Sequence, residues 1–343
     1  MNGAPTGPAV PIEAPAGNFP SLAEPPTIAV VVPAFEAAAT VAETIDSILA
    51  QESPPAQLVV VDDGSSDGLG EALVPYAGRI DVAVEPHRGV AAARNTGWRR
   101  CSADFILFVD ADDVLLPGKV AALRRLGQTR PDLDLLATDM YFERDGARAG
   151  RFGDANSFPT ERQRETILER CFVVQPAFRR SALERVGGFD ESLNTAEDWD
   201  CALRLILSGS SAGLYDEPLA VYRIHPGSLT ERRPETFGDR ARIIAKAAAS
   251  SDLRPSERRT ALRSLAVQRR RAAVAAAQAA VRQRRRGARR LCLRLAATRG
   301  TGLSTRLWAL ACALLPAAAR PAPGRLSRDG SQLTRLLPGQ GRR

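Results

Sequence analysis

Two stretches restrict this chain more than any others: "LVVVDDGSSDG" and "FILFVDADDVLLP" each run from unbroken apolar residues straight into carboxylates. Leu58 to Val61 ends in Asp62 and Asp63, and Phe105 to Val109 ends in Asp110, Ala111, Asp112 and Asp113. A continuous apolar run of this length fits a strand buried on both faces. The same pattern opens at Ile28–Val32, closed by Pro33, and recurs at Ile80–Val84 and Leu133–Thr138. Between the runs the period changes. Val41, Ile45, Ile48 and Leu49 recur at helical spacing, a helix is predicted over Val90–Arg100, and Val120, Leu123 and Leu126 mark another, closed by Gly127. Apolar strands alternating with amphipathic helices specify parallel βαβ units, an α/β domain. Ligands of such sheets bind beyond the carboxyl ends of the strands. The two acidic clusters are therefore expected to converge on one crevice. Carboxylates this close repel unless neutralised, and a divalent cation is the usual neutraliser. The plainer alternatives are a solvated loop for residues 110–113 and turn chemistry ahead of Gly64 for Asp62 and Asp63.

Further along, Ala196 to Leu207 reads as a helix with Trp199, Leu203, Ile206 and Leu207 inward and Gly209 at its end. Glu197, Asp198 and Asp200 crowd its first turn, where the helix dipole favours negative charge. The net charge of +8 hides a division: residues 1–232 carry 21 Lys+Arg against 34 Asp+Glu (−13), and residues 233–343 carry 26 against 5 (+21). Such asymmetry argues for two functional units. The chain is expected to comprise a disordered leader over 1–25, a catalytic-type α/β domain over 26–232, an Arg/Ala-rich helical extension over 233–320 and a disordered tail over 321–343. The leader has neither the basic nor the apolar segment of a signal peptide, and no run of 18 apolar residues predicts a spanning helix. Five cysteines without a CxxC pair fit a reducing, cytoplasmic setting and make structural zinc or a disulfide framework unexpected. Few aromatics interleave the arginines of the extension, so no specific nucleic-acid partner is expected. An anionic membrane surface suits it better, with Leu303–Leu315 and Trp308 in the interface and the protein peripheral on the inner face of the plasma membrane.

In chain order, "VVVPAFEAAATVAETIDSILAQ", "LVVVDDGSSDG", "GVAAARNTG", "FILFVDADD", "VGGFDESL", "AEDWDCALRL" and "YRIHPGSLT" resemble a family 2 glycosyltransferase of the GT-A fold, over about residues 27–232. The resemblance implies a Rossmann-like, mostly parallel sheet flanked by helices. It implies an inverting, hexosyltransferase-type reaction from a nucleotide-diphosphate sugar to a glycan or lipid-linked acceptor, in cell-wall or polysaccharide biosynthesis. A DXD-type motif would hold Mg²⁺ or Mn²⁺, which neutralises the departing diphosphate and takes hard oxygen ligands. By the same likeness Asp112 is the direct ligand, Asp110 points toward the ribose or a water on the ion, and Asp113 takes either task or caps the next turn. Pro33 and Ala34 lie beside the base, and Asp63 accepts from the imide of uracil, which favours a UDP-sugar. Phe35 and Glu36 replace the commoner Tyr-Asn: Phe35 still stacks, but Glu36 cannot donate. Arg94 touches the diphosphate or braces the acidic cluster. Asp198 is the implied general base, and Glu197 orients the acceptor. Arg223 and His225 match a segment near the diphosphate, His225 as a phosphate or metal contact. Each has a structural alternative: Arg94 on a helix surface, the Glu197–Asp198 pair as helix-terminal charge, Trp199 in the core instead of against a sugar, and His225 as a structural histidine. Two other readings compete. A sugar-nucleotide nucleotidyltransferase usually shows a Gly-rich, basic loop after the first strand, and "PAFEAAAT" has neither feature. An inactive nucleotide-sugar-binding relative with a basic membrane- or nucleic-acid-binding tail is the other.

Overall fold

A computed structural model describes residues 12–15, 19–225, 233–285, 287–298 and 300–314. It divides into two compact units, Met1–Ser192 with Glu197–Ile224, and Leu193–Ala196 with His225–Arg343. The first unit is built on one mixed sheet. Its strands are β1 (Ile12–Glu13), β2 (Ile28–Ala34), β3 (Gln57–Asp62), β4 (Asp81–Val84), β5 (Phe105–Phe108), β6 (Val114–Leu115), β7 (Leu135–Arg144), β8 (Ala147–Arg151), β9 (Ala177–Arg179) and β10 (Ala212–Ile224). The order is β1-β10-β7-β9-β5-β2-β3-β4, with β6 on β10 and β8 on β7. Pairs β2/β3, β3/β4, β2/β5 and β7/β10 are parallel, while β9 runs antiparallel to both β5 and β7. Helices α1 (Val41–Leu49), α2 (Leu69–Leu73), α3 (Val90–Arg99), α4 (Lys119–Thr129), α5 (Phe152–Ala155), α6 (Gln163–Glu169), α7 (Arg180–Val186) and α8 (Glu197–Leu207) complete it.

The chain leaves β2 toward β3 and β4 and then returns to the other side of β2 to make β5. That reversal is the topological switch point at which open α/β sheets bind ligands. Because β2, β3 and β5 are parallel, Ala34, Asp62 and Asp110 reach the same edge of the sheet. All seven residues of β2 are buried, and Val41, Ile45 and Ile48 of α1 are fully buried. Burying each such side chain contributes about 1.5–3 kcal/mol.

Several boundaries depart from the sequence reading. β2 continues one residue past Pro33, pairing Pro33 with Val61 and Ala34 with Asp62 of β3. Val31 O accepts from Val109 on the β5 side and Ala34 O accepts from Asp63 on the β3 side. By strand alternation the N–H that Pro33 lacks falls on the β5 side, where pairing ends at Val31 and Phe108. Gly127 does not close α4. It lies inside the helix, where an added Cβ would come 2.8 Å from Pro26 and 2.9 Å from Leu136, so glycine there permits close packing. Helix α8 starts at Glu197, after Ala196 at φ 59°, and buries Leu205 while Leu207 stays half-buried. Within the leader expected to be disordered, Ile12 and Glu13 pair antiparallel with Tyr215 and Leu214, and the Leu22 amide donates to Gln128 O. Residues 1–11 and 16–18, and the tail over 321–343, lie outside the described residues.

The second unit holds α9 (Arg233–Ala249), α10 (Pro255–Arg282), α11 (Ala288–Ala297) and α12 (Leu303–Leu314). A small core joins the last three: Ala277, Cys292, Leu295, Ala309, Cys312 and Ala313 are buried together. Among the described residues no helix is long and apolar enough to cross a membrane.

Candidate active site

The centre of the site is Arg94 on α3. It is 8% exposed, yet its guanidinium joins two acids from distant parts of the sequence. One nitrogen donates to Asp110 Oδ1 at 2.7 Å, and another donates to Glu197 Oε1. Burial opposes the guanidinium charge, but Asp110, Glu197 and Asp198 outweigh it and hold the pKa above its ordinary value. Phe189 lies beneath, its ring centroid 5.6 Å from the guanidinium carbon. The end of β5 and the first turn of α8 are thereby fastened to one cation.

Glu197 is buried, and burial, assisted by Asp198, pushes its carboxyl up to about 7 against the opposing pull of Arg94. One of its oxygens is held by Arg94. Asp198 is exposed, with Oδ1 accepting the Trp199 amide at 2.7 Å. Trp199 is a core residue: it is 3% exposed and its indole N–H donates to Ile167 O at 2.8 Å.

Beyond Asp110 the turn divides. Asp112 is half-buried at the rim. Asp113 is 1% exposed, accepting from Gln175 Nε2 and from the Arg223 amide, both at 3.2 Å. Burial, then Asp110 and Asp112, push its pKa well up. Gln175 in turn accepts from Lys119 Nζ at 2.8 Å. Lys119 is wholly buried, and burial pulls its pKa down to about 7 although Asp113 and Asp139 oppose this. Asp113 thus belongs to an internal chain of hydrogen bonds. His225 is exposed and falls in the second compact unit. Among the described residues no three His, Cys, Asp or Glu side chains group as a metal site. Asp110 and Asp112 are the half-buried carboxylates of this turn. One or two carboxylates completed by substrate phosphates is how Mg²⁺ is usually held, so this donor set fits Mg²⁺ or Mn²⁺ shared with a diphosphate. The Arg223 guanidinium, expected near that diphosphate, pairs with Glu43 at 2.5 and 2.7 Å and with Glu143 at 3.4 Å.

At the end of β3, Asp63 is 2% exposed and takes the amides of Arg88 and Gly89, each at 2.8 Å. His87 Nδ1 lies 2.8 Å from its Oδ2. The expected imide acceptor is therefore also the anchor of the 87–89 loop. Phe35 stacks on His87 with centroids 4.0 Å apart, and both rings are exposed. Glu36, at φ 50°, accepts from the Ser66 amide and hydroxyl, which explains its departure from Asn: it ties the β2 end to the β3 loop. Pro33 and Ala34 are buried in the strand beside them.

Three further residues hold the scaffold: Gly188 and Arg204, which the sequence reading left without a task, and Asn95, whose motif by resemblance lines the donor site. Asn95, beside Arg94, pairs its amide with both the N–H and the C=O of Phe189, each at 2.9 Å. Gly188, at φ 76°, leaves room for that clamp, since a Cβ there would come 2.4 Å from Asn95 Oδ1. Arg204 of α8 donates to Val186 O at 2.7 Å and Gly188 O at 2.6 Å. Together they fix the "VGGFD" turn that sets Phe189 under Arg94. A fourth, Lys119, had a signal in the composition: the chain has two lysines beside 45 arginines. Lysine changes its pKa readily when buried, and arginine does not.

Residues 29–187 match the family model for glycosyl transferase family 2. Succinoglycan biosynthesis protein ExoU of Rhizobium meliloti is 31% identical over 209 residues, covering 55% of this chain and 59% of its own length. S. aureus TarS in complex with UDP-GlcNAc has TM-score 0.56 at 19% identity, over 71% of this chain and 72% of that one. The mannosyltransferase PcManGT from Pyrobaculum calidifontis, in complex with GDP-Man and Mn²⁺, has TM-score 0.53 at 21% identity, over 87% and 89%. At such identities the structural likeness speaks for the fold, a GT-A sheet flanked by helices. The matched region spans 59–65% of the length of three curated relatives.

Proposed function

We propose that this protein is an inverting glycosyltransferase moving a hexosyl group from a nucleotide-diphosphate sugar to a hydroxyl of a glycan or lipid-linked acceptor. The observation carrying this is the bridge of Arg94 between Asp110 and Glu197. It gathers at one point the two acidic segments that such a transfer needs: one to meet the donor diphosphate and one to meet the acceptor. Asp112, with Asp110, would hold Mg²⁺ or Mn²⁺. When bound, the ion stabilises the negative charge that grows on the leaving diphosphate. Asp198 takes the proton from the acceptor hydroxyl as its oxygen attacks the anomeric carbon, a task worth 10²- to 10⁴-fold. Glu197 positions that turn through Arg94. The nucleobase lies against the Phe35–His87 stack, beside Asp63, Pro33 and Ala34. UDP is favoured, and the solved structures with UDP-GlcNAc and GDP-Man support a nucleotide-sugar donor of this general kind. The name of ExoU supports a place in polysaccharide assembly. A cytoplasmic position at the inner face of a membrane, reached through the arginine-rich unit, fits a lipid-linked acceptor.

A panel of nucleotide-sugars assayed for hydrolysis with Mn²⁺ tests the reading. Asp112→Ala should abolish metal dependence and turnover together. Asp198→Asn should lower transfer by about 10²- to 10⁴-fold while nucleotide binding persists; full activity in that variant would sink the base assignment.

A further inference from the structure

Helix α12 is built inside out. Its inward face carries Thr305, Ala309, Cys312 and Ala313, all buried, and Trp308 packs partly against the same small core. Its largest aliphatic residues face the other way: Leu303 is 73% exposed, Leu307 58%, Leu310 38% and Leu314 65%. Their spacing of four, three and four places them in one stripe about 60° wide. A helix serving only this core would put leucine where the alanines are. Contiguous exposed apolar surface marks a place where something else docks.

The charge around the stripe says what. Helix α11, which packs on α12, exposes Arg289, Arg290 and Arg294. Residues 258–314 hold fifteen arginines and no Asp or Glu. A second copy of this unit would bring like charge against like charge. So would the chain beyond Leu314, where residues 315–343 carry six arginines and one aspartate. An apolar stripe in so arginine-rich a segment matches a surface that is anionic outside and oily just beneath. We propose that α12 lies in the headgroup region of an anionic bilayer with the Leu303, Leu307, Leu310 and Leu314 face inserted, while the arginines of α11 meet lipid phosphates. This deepens the membrane placement proposed above by naming the inserted face, and its test is separate from the transferase assay.

The full chain is sedimented with vesicles of phosphatidylcholine alone and with vesicles containing phosphatidylglycerol. Binding should be at least tenfold tighter to the anionic vesicles and should weaken with salt. A variant with all four leucines changed to Ser should lose about tenfold or more in affinity for them. Arg289→Glu with Arg290→Glu should lose a comparable amount and serves as a second probe if the serine variant does not fold. The proposal is overturned if the serine variant binds anionic vesicles as tightly as the parent chain. It is equally overturned if the parent ignores vesicles and instead forms a dimer that the serine changes abolish, or binds duplex DNA with no dependence on the leucines.

Discussion

At the end of β3, Asp63 receives the amides of Arg88 and Gly89 and stands against the His87 imidazole. At the end of β5, Asp110 receives one arm of Arg94 while its side chain remains 38% exposed. The two segments look alike in sequence, an apolar run followed by carboxylates, and they reach the same edge of the sheet. What separates them is who fills the oxygens. Backbone amides fill those of Asp63, fixing a loop that has no strand partner of its own. A cation that also grips Glu197 fills one position on Asp110, and the neighbouring Asp112 stays at the rim. An acid satisfied by amides works first as architecture. An acid balanced by one buried guanidinium, with surface left over, can meet a ligand.

The sharpest break of that contrast is at Arg94. Arg94→Met leaves two acids crowded without their cation, and removing one partner of a buried pair costs about 3–5 kcal/mol. Urea denaturation measures this. Adding Glu197→Gln to the same chain should restore part of the loss, because the stranded charge is then gone. A single variant as stable as the parent would mean that Arg94 does not hold β5 and α8 together.

Much of this was legible in the residues. The runs Ile28–Val32, Leu58–Val61 and Phe105–Val109 gave strands because four or five consecutive apolar residues suit a doubly covered strand, and the convergence of their acidic ends followed from parallel topology. The individual tasks were less legible. Asp110, Asp112 and Asp113 are near-identical in sequence, yet one pairs with Arg94, one lies at the rim and one is buried with Gln175. The partners that decide this come from α3 and from the segment before β9, and no spacing within "DADD" announces them. The scaffold roles of Asn95, Gly188 and Arg204 were unreadable for the same reason. Asn95 and Arg204 act on backbone groups 94 and 16 residues away, Gly188 makes room for the Asn95 side chain, and backbone groups leave no mark in a sequence.

The β3 side can be broken in its own way. Asp63→Ala removes the acceptor for two amides, and hydrogen bonds to a charged group are worth about 1.5–3 kcal/mol. A loss of about 2–3 kcal/mol is expected in urea, with faster hydrogen exchange at Arg88 and Gly89. Asp63→Asn should fall between, since its carbonyl can keep one of the two amides. If the alanine variant matches the parent in stability but loses nucleotide affinity, Asp63 is a ligand contact before it is an anchor, and the contrast between the two strand ends weakens.

The smallest effect concerns the inner arm of the β5 turn, where Lys119 reaches Asp113 through Gln175. Its pKa is pulled from 10.5 to about 7 in the folded protein. Between those values the unfolded chain holds a proton that the folded chain has released, so stability rises with pH through that window. Below about pH 7 the folded protein must keep a buried cation, and the gain is lost. Lys119→Met has no such proton. Comparing the two chains in urea at pH 7 and pH 9, the parent should gain about 2 kcal/mol on the variant. A difference that stays flat over the range would show that Lys119 remains charged. The inner arm would then be an ion pair like that of Arg94, instead of a neutral chain of hydrogen bonds set behind the rim.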